Sequence, residues 1–415
     1  GGAVTRRRRR TTAGRAVLTA VTAFGVLAGA ALAGAAPAGA VPEGKRIAPG
    51  VTYRQFDVDA AAGPAHVHLL TVDLGNPHVR VDLLYPGVVA ARATVSRMAD
   101  ASGAVAGING DFFDITETQH PGVEATGASV GPAVADGRVL KAAVPDGQRF
   151  GPALPPGTST RAVFGVGTDR RARLDRLSLV GTVGTPEGRL PLKGLNQYAL
   201  PENSVGAFTS RWGSASRKRA VCGTDTQRSA PCSTDTYEVT VRHGRVASAA
   251  GTPGSGAIAA DTTVLVGREE GARQLRKLSV GDEVTVTHTL VAASSGVPYA
   301  FAIGGFPVLR GGKALPGLDD AASAVRTAVG FKGGGRQMLV LALDGAAAYR
   351  TGMTVAEEAA TMRSLGASDA FNLDGGGSTE LVTRDAGASA VTVRNHPSAG
   401  AERPVADGIG VFSAP

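Results

Sequence analysis

The strongest constraint on this chain lies in its last hundred residues. Gln337 to Leu343 is an almost purely apolar run ending at Asp344-Gly345, and Ala370 to Leu373 is a second, ending at Asp374-Gly375-Gly376-Gly377-Ser378. Short apolar runs closed by turn residues read as strands buried on both faces. Between them Thr354 and Glu357 have capping-box spacing, Val355, Ala359, Met362 and Leu365 recur at helical spacing, and Gly366 stands where a C-terminal cap belongs. Strand, helix and strand in that order predict a parallel crossover, which would bring Asp344 and Asp374 to one carboxyl edge of a sheet. Three consecutive glycines weaken local structure, so they belong where backbone turns sharply or touches a ligand. A plain Asp-Gly hairpin turn is the structural alternative.

Earlier segments add short strands. Val51 to Leu84 predicts a hairpin or meander, with Ala65–Val72 and His78–Leu84 separated by the turn Gly75-Asn76-Pro77. His66 and His68 share one strand face there, a pattern more often packing than metal ligation. Thr94 to Gly103 predicts a short helix, and Ala104 to Ile108 a strand entering Asn109-Gly110-Asp111-Phe112-Phe113-Asp114. This amide and its carboxylates would suit a sugar hydroxyl or a calcium ion, with Asp111 and Asp114 as the calcium ligands; an Asx turn over core phenylalanines is the bland reading. Gly127 to Leu140 reads as strand, Asp-Gly turn and strand, and residues 161 to 291 as further short strands without a fixed period. Trp212 beside Arg211 would make a sugar platform or, more ordinarily, a core residue. Tyr299 to Pro307 is a strand running through Gly304-Gly305, and Arg326 stands at the entrance to the strand that follows, suited to a phosphate or carboxylate.

Charge looks informative until it is located. The formal net charge is +8, but residues 1 to 40 hold six arginines and no acid, leaving 37 basic against 35 acidic residues elsewhere. A nucleic-acid partner is therefore not expected. The arginine cluster, the Ala/Val/Leu run from Ala16 to about Ala36 and the small residues Ala38-Gly39-Ala40 read as a secretory signal cleaved near Ala40, leaving no stable membrane span. In a secreted protein Cys222 and Cys232 read as a disulfide closing a small loop, worth about 3 kcal/mol.

Taken together and in this order, Asn109-Gly110-Asp111-Phe112-Phe113, Ile303-Gly304-Gly305-Phe306-Pro307, Arg326-Thr327-Ala328-Val329-Gly330, Leu343-Asp344-Gly345, Gly352-Met353-Thr354, Asn372 to Ser378 and Glu402-Arg403-Pro404-Val405 resemble the motifs of the phosphodiester glycosidase family. The resemblance implies hydrolysis of a sugar-1-phosphodiester at the anomeric carbon, on a small substrate or a glycopolymer. A carboxylate must meet the oxocarbenium-like sugar, with Asp374 and Asp344 as candidates and Glu380 and Glu402 as alternative acid-base groups. Arg326, Arg403 and the Gly375 to Gly377 turn would meet the phosphate charge and Asn109, Asp111 and Asn372 would orient hydroxyls, with Gly304, Gly305, Thr327 and Ser378 as further substrate- or phosphate-binding positions. No cofactor is required by this reading; calcium is the ion the acidic turn would accept. The expected fold is α+β, a β-rich mixed-sheet domain with a C-terminal strand-helix-strand unit. Its expected divisions are a signal peptide (1–40), an N-terminal β-rich segment (41–100) and the glycosidase domain (101–415), with a β-rich elaboration at about 161–295. The rival readings are a non-catalytic binder of anionic polysaccharide and a calcium-dependent phosphodiesterase.

Overall fold

Three β-sheets carry the chain in the computed structural model, which describes residues 44–414; the expected signal peptide lies outside the described residues. The first sheet has eight strands in the order Lys45–Ala48, Val51–Ala60, Gly63–Asp73, Gln337–Leu343, Thr327–Lys332, Asp369–Leu373, Phe306–Arg310, Lys313–Ala314. The second draws its strands from the middle of the chain, between Ala133–Ala135 and Tyr299–Gly304. The third has five, in the order Thr392–Val393, Leu381–Thr383, Ala106–Asn109, Gly408–Ser413, Val79–Leu84. The helices among the described residues are short, so the β-rich α+β expectation holds.

The C-terminal unit forms as its sequence dictates, with one addition. Thr354 Oγ1 accepts the Glu357 N–H at 3.1 Å and Glu357 Oε1 accepts the Thr354 N–H at 3.0 Å, closing the capping box of helix Val355–Ser364. Val355, Ala359, Met362 and Leu365 are all buried, and Gly366 takes φ +99° just beyond the helix end. Strands Gln337–Leu343 and Asp369–Leu373 are parallel but not neighbours. Strand Thr327–Lys332 lies between them, antiparallel to both, with Thr327 opposite Ala342 on one side and Leu373 on the other. Asp344 and Asp374 thus leave the sheet at the same edge, two strand spacings or about 10 Å apart.

Pairing differs from expectation at the N-terminal end. Gly63–Asp73 does not form a hairpin with Val79–Leu84, because Val51–Ala60 and Gln337–Leu343 take its two edges. Val79–Leu84 instead pairs with Gly408–Ser413 in the third sheet. The first strands of the chain are therefore hydrogen-bonded into the same sheet as the C-terminal unit. The hairpin Ala133–Ala135/Arg138–Lys141 does form, with Asp136 and Gly137 both at positive φ, as a two-residue turn of that hand requires. Trp212 is fully buried against Phe208 and donates its Nε1–H to Ala215 O at 3.0 Å, which rules out a sugar platform. Cys222 and Cys232 are disulfide-bonded.

Candidate active site

The turn after Asp374 is held from three directions. The Asp374 N–H donates to Gly110 O at 2.8 Å, and Asn109 Nδ2 donates to Asp374 O at 2.7 Å. Asn109 Oδ1 in turn accepts from Thr327 Oγ1 and from the Glu380 N–H, so this one amide ties three segments together. At Gly375 a Cβ would stand 2.4 Å from Val325 O, and the Gly376 N–H donates to that same carbonyl at 2.8 Å. The glycines therefore permit close approach of backbone, as the run implied. Arg403 lies across the turn, its Nη1 3.3 Å from Ser378 Oγ.

Behind Asp374 sits a buried acidic group that includes two side chains with no part in the sequence reading. Asp111 accepts the N–H groups of Phe112 and Gly131, both at 2.7 Å, and its own N–H donates to Asp407 Oδ1 at 2.9 Å. Buried Lys141 donates to Gly131 O and to Ala142 O, within the field of Asp111 and Asp407. Gly304 packs so tightly here that a Cβ would meet Asp111 Oδ2 at 2.3 Å. Burial pushes Asp374 up to about 7, with the Asp111 charge adding to the shift and Ser378, the Gly375 N–H and Arg403 opposing it. Burial and the Asp111 charge push Asp407 up to about 8, while burial pulls Lys141 down to about 8 against both carboxylates. Asp111 itself is raised by burial, with Lys141 opposing. Such a group holds protons well above the normal carboxylate range.

Asp344 keeps different company. Its Oδ1 accepts the His396 N–H at 2.5 Å, lies 3.1 Å from His396 Nδ1 and 3.4 Å from His68 Nε2. Burial alone would raise this carboxyl, but the N–H and ring of His396 and the nearby His68 hold it below the usual range. His68 Nδ1 meets Tyr53 Oη at 2.7 Å; burial, with His66 adding, pulls this imidazole down to about 4. The two histidines read as a packing pair thus border the second carboxylate.

Several sequence candidates stand apart from Asp374. Arg326 donates from Nε to Met353 O at 2.9 Å and from Nη2 to Ala322 O at 2.7 Å, with buried Glu358 nearby. Its neighbour Thr327 bonds Asn109 and Thr379 on the opposite face, so Arg326 braces loops and does not face the glycine turn. Thr327 is likewise spent on buried partners. Glu380 is buried against Glu402, and burial followed by that contact pushes it up to about 9; Glu402 also accepts from Ser96 Oγ at the start of helix Val95–Ser102. Asn372 is buried and Gly305 abuts Asn372 O. Asp114 faces Glu117 and not Asp111, and burial raises it to about 6. No group of three or more His, Cys, Asp or Glu among the described residues has metal-holding geometry, and each Asp111 oxygen accepts one N–H. Phe112 and Phe306 stack at 5.9 Å beneath Arg149 as buried packing.

Lys141 and Asp407 were detectable in principle. Lys141 is a lone charge in the apolar run Val139 to Val144, and Asp407-Gly408 is another Asp-Gly step, entering a strand where the steps at Asp344 and Asp374 leave one.

No curated protein matches the chain. Among solved structures, a hypothetical protein from Synechocystis aligns with TM-score 0.67 at 20% identity, covering 90% of this chain and 64% of that one. This chain therefore spans less than two thirds of the Synechocystis chain. A Burkholderia pseudomallei protein thought to be exported aligns with TM-score 0.65 at 24% identity, covering 85% and 75%. The catalytic domain of zebrafish N-acetylglucosamine-1-phosphodiester alpha-N-acetylglucosaminidase aligns with TM-score 0.44 at 15% identity, covering 90% and 87%. The first two likenesses establish a shared fold. The family model for phosphodiester glycosidase matches residues 235–412, which include Asp344, Asp374, His396, Arg403 and Asp407 but not Asn109, Asp111 or Lys141. Over residues 235–412, then, this chain is similar to the phosphodiester glycosidase family.

Proposed function

We propose that this protein is a secreted hydrolase that cleaves a sugar-1-phosphodiester at the anomeric C–O bond, freeing the sugar and leaving a phosphomonoester on its partner. The observation that carries the reading is the joining of Asp374, the glycine turn and Arg403 in one constellation within the matched region. In that role the Asp374 carboxylate faces the positive charge that grows on the anomeric carbon as the bond breaks. Arg403, Ser378 and the turn N–H groups receive the charge that moves onto the departing phosphate, which needs little protonation. Asn109 and the Asp111–Lys141–Asp407 group fix the turn and set the proton affinity of Asp374. A disulfide in the described residues, together with the N-terminal segment, supports an extracellular glycoconjugate or cell-surface glycopolymer as substrate.

The test is hydrolysis of a UDP-sugar or a sugar-1-phosphate methyl ester in heavy-oxygen water, with and without chelator. Label in the sugar is the expected result. Label in phosphate would overturn C–O cleavage, loss of turnover on chelation would favour metal-assisted phosphodiester hydrolysis, and binding without turnover would favour a polysaccharide binder.

A further inference from the structure

Asp344 stands at the same sheet edge as Asp374, yet its surroundings suit a different task. Its carboxylate is almost wholly buried, at 3% exposure, whereas the His396 side chain bonded to it is 76% exposed. Both the N–H and the Nδ1 of His396 converge on one oxygen, Asp344 Oδ1, which fixes the ring and leaves Nε2 as its outward end. The loop carrying His396 is pinned at both sides of the site. The Gly345 N–H donates to His396 O at 2.7 Å, and two residues later Ser398 Oγ lies 3.4 Å from Gly376 O in the turn that follows Asp374. Gly345 has no room for a Cβ, which would stand 2.5 Å from Ser398 Oγ, so Asp344 and this loop are held in register. Behind Asp344, buried His68 and Tyr53 extend the line of polar groups inward from the exposed His396.

We infer that His396 is a proton-transfer residue of the hydrolysis and that Asp344 is its positioning residue, an assignment that rests on the reaction proposed above. As water delivers its oxygen to the anomeric carbon, the electron pair of the C–O bond passes to the phosphate oxygen. His396 Nε2 takes the proton that the water gives up. The imidazolium so formed is held by the Asp344 carboxylate, and the proton then passes to the phosphomonoester or to solvent, restoring the neutral ring. The buried carboxylate is thereby removed from direct attack on the sugar, and the reacting carboxylate is Asp374 alone.

The experiment compares wild type, His396→Ala, Asp344→Asn and the double variant on a sugar-1-phosphate methyl ester, with and without added imidazole. His396→Ala should lower kcat about 10²-fold or more while KM moves little, and imidazole should restore part of the loss. Asp344→Asn should also lower kcat, without rescue by imidazole, and the double variant should be no worse than His396→Ala. Unchanged kcat in His396→Ala, a change confined to KM, or failure of imidazole to rescue would each overturn the inference while leaving the glycosidase reading standing. A wild-type protein that turns over no sugar-1-phosphodiester would overturn both. Because His396 is exposed, its variant tests the idea even if Asp344→Asn does not fold.

Discussion

The Arg403 guanidinium rests on the backbone of Gly377, so closely that a Cβ there would stand 2.4 Å from Nη2. Gly377→Ala should therefore push the guanidinium off the turn without disturbing the buried sheet. We expect kcat/KM to fall by about 10²-fold, the usual cost of one lost charge-stabilising donor, with a thermal midpoint near that of wild type. Arg403→Lys should lose a similar factor, since an ammonium cannot span Ser378 and the turn together. Full activity in both variants would remove Arg403 from the phosphate site.

Asp374→Asn should abolish measurable turnover while the protein stays folded, because the main-chain bonds that fix this residue do not use its side chain. Since Asp374 acts as a carboxylate and its folded value is pushed up to about 7, kcat/KM should rise as pH increases through 7. A rate that falls across that range would assign Asp374 the role of acid.

Stability should fall as pH rises from about 5 to 8. Asp374, Asp407, Glu358 and Glu380 all have folded values raised by burial, to about 7, 8, 8 and 9, so the folded chain holds protons the unfolded chain has released. His68, pulled down to about 4, works the other way only below about 6.5. Thermal unfolding at pH 5.5, 6.5, 7.5 and 8.5 should give a decreasing midpoint that flattens towards 8.5, as these carboxyls release their protons and Lys141, pulled down to about 8, works the other way. A flat or rising profile would show that these carboxyls are solvated.

Lys141→Met would strand Asp111 and Asp407 without their cation and should cost about 3 kcal/mol or more at pH 8. Adding Asp407→Asn should recover part of that loss, and denaturant unfolding of both variants checks it. Equal destabilisation in the two would mean that Lys141 acts through packing alone.

What the chain disclosed locally, the structure repeats. The capping box at Thr354 and Glu357, the turn at Asp136-Gly137 and the exits of two buried strands at Asp344 and Asp374 are short-range patterns, and each fixes backbone within a few residues. What stayed hidden was pairing between distant segments. Nothing in the apolar run Gln337–Leu343 tells that Gly63–Asp73 will flank it, or that Thr327–Lys332 will separate it from Asp369–Leu373. For the same reason Lys141 looked like an isolated charge and His68 like packing: the partners that give them meaning, Asp407 and Asp344, lie far along the chain. Arg326 misled because its position at a strand entrance was visible and the face it turns to was not.

The acidic group draws on all three sheets. Asp374 follows a strand of the first, Lys141 ends a strand of the second, and Asp111 and Asp407 flank strands of the third. The Asn109 bond to Asp374 alone spans 265 residues. Contacts of that separation form late, after much chain entropy has been lost. The site is thus complete only once Gly408–Ser413 is seated between Ala106–Asn109 and Val79–Leu84. Displacing that strand should extinguish activity as surely as removing Asp374.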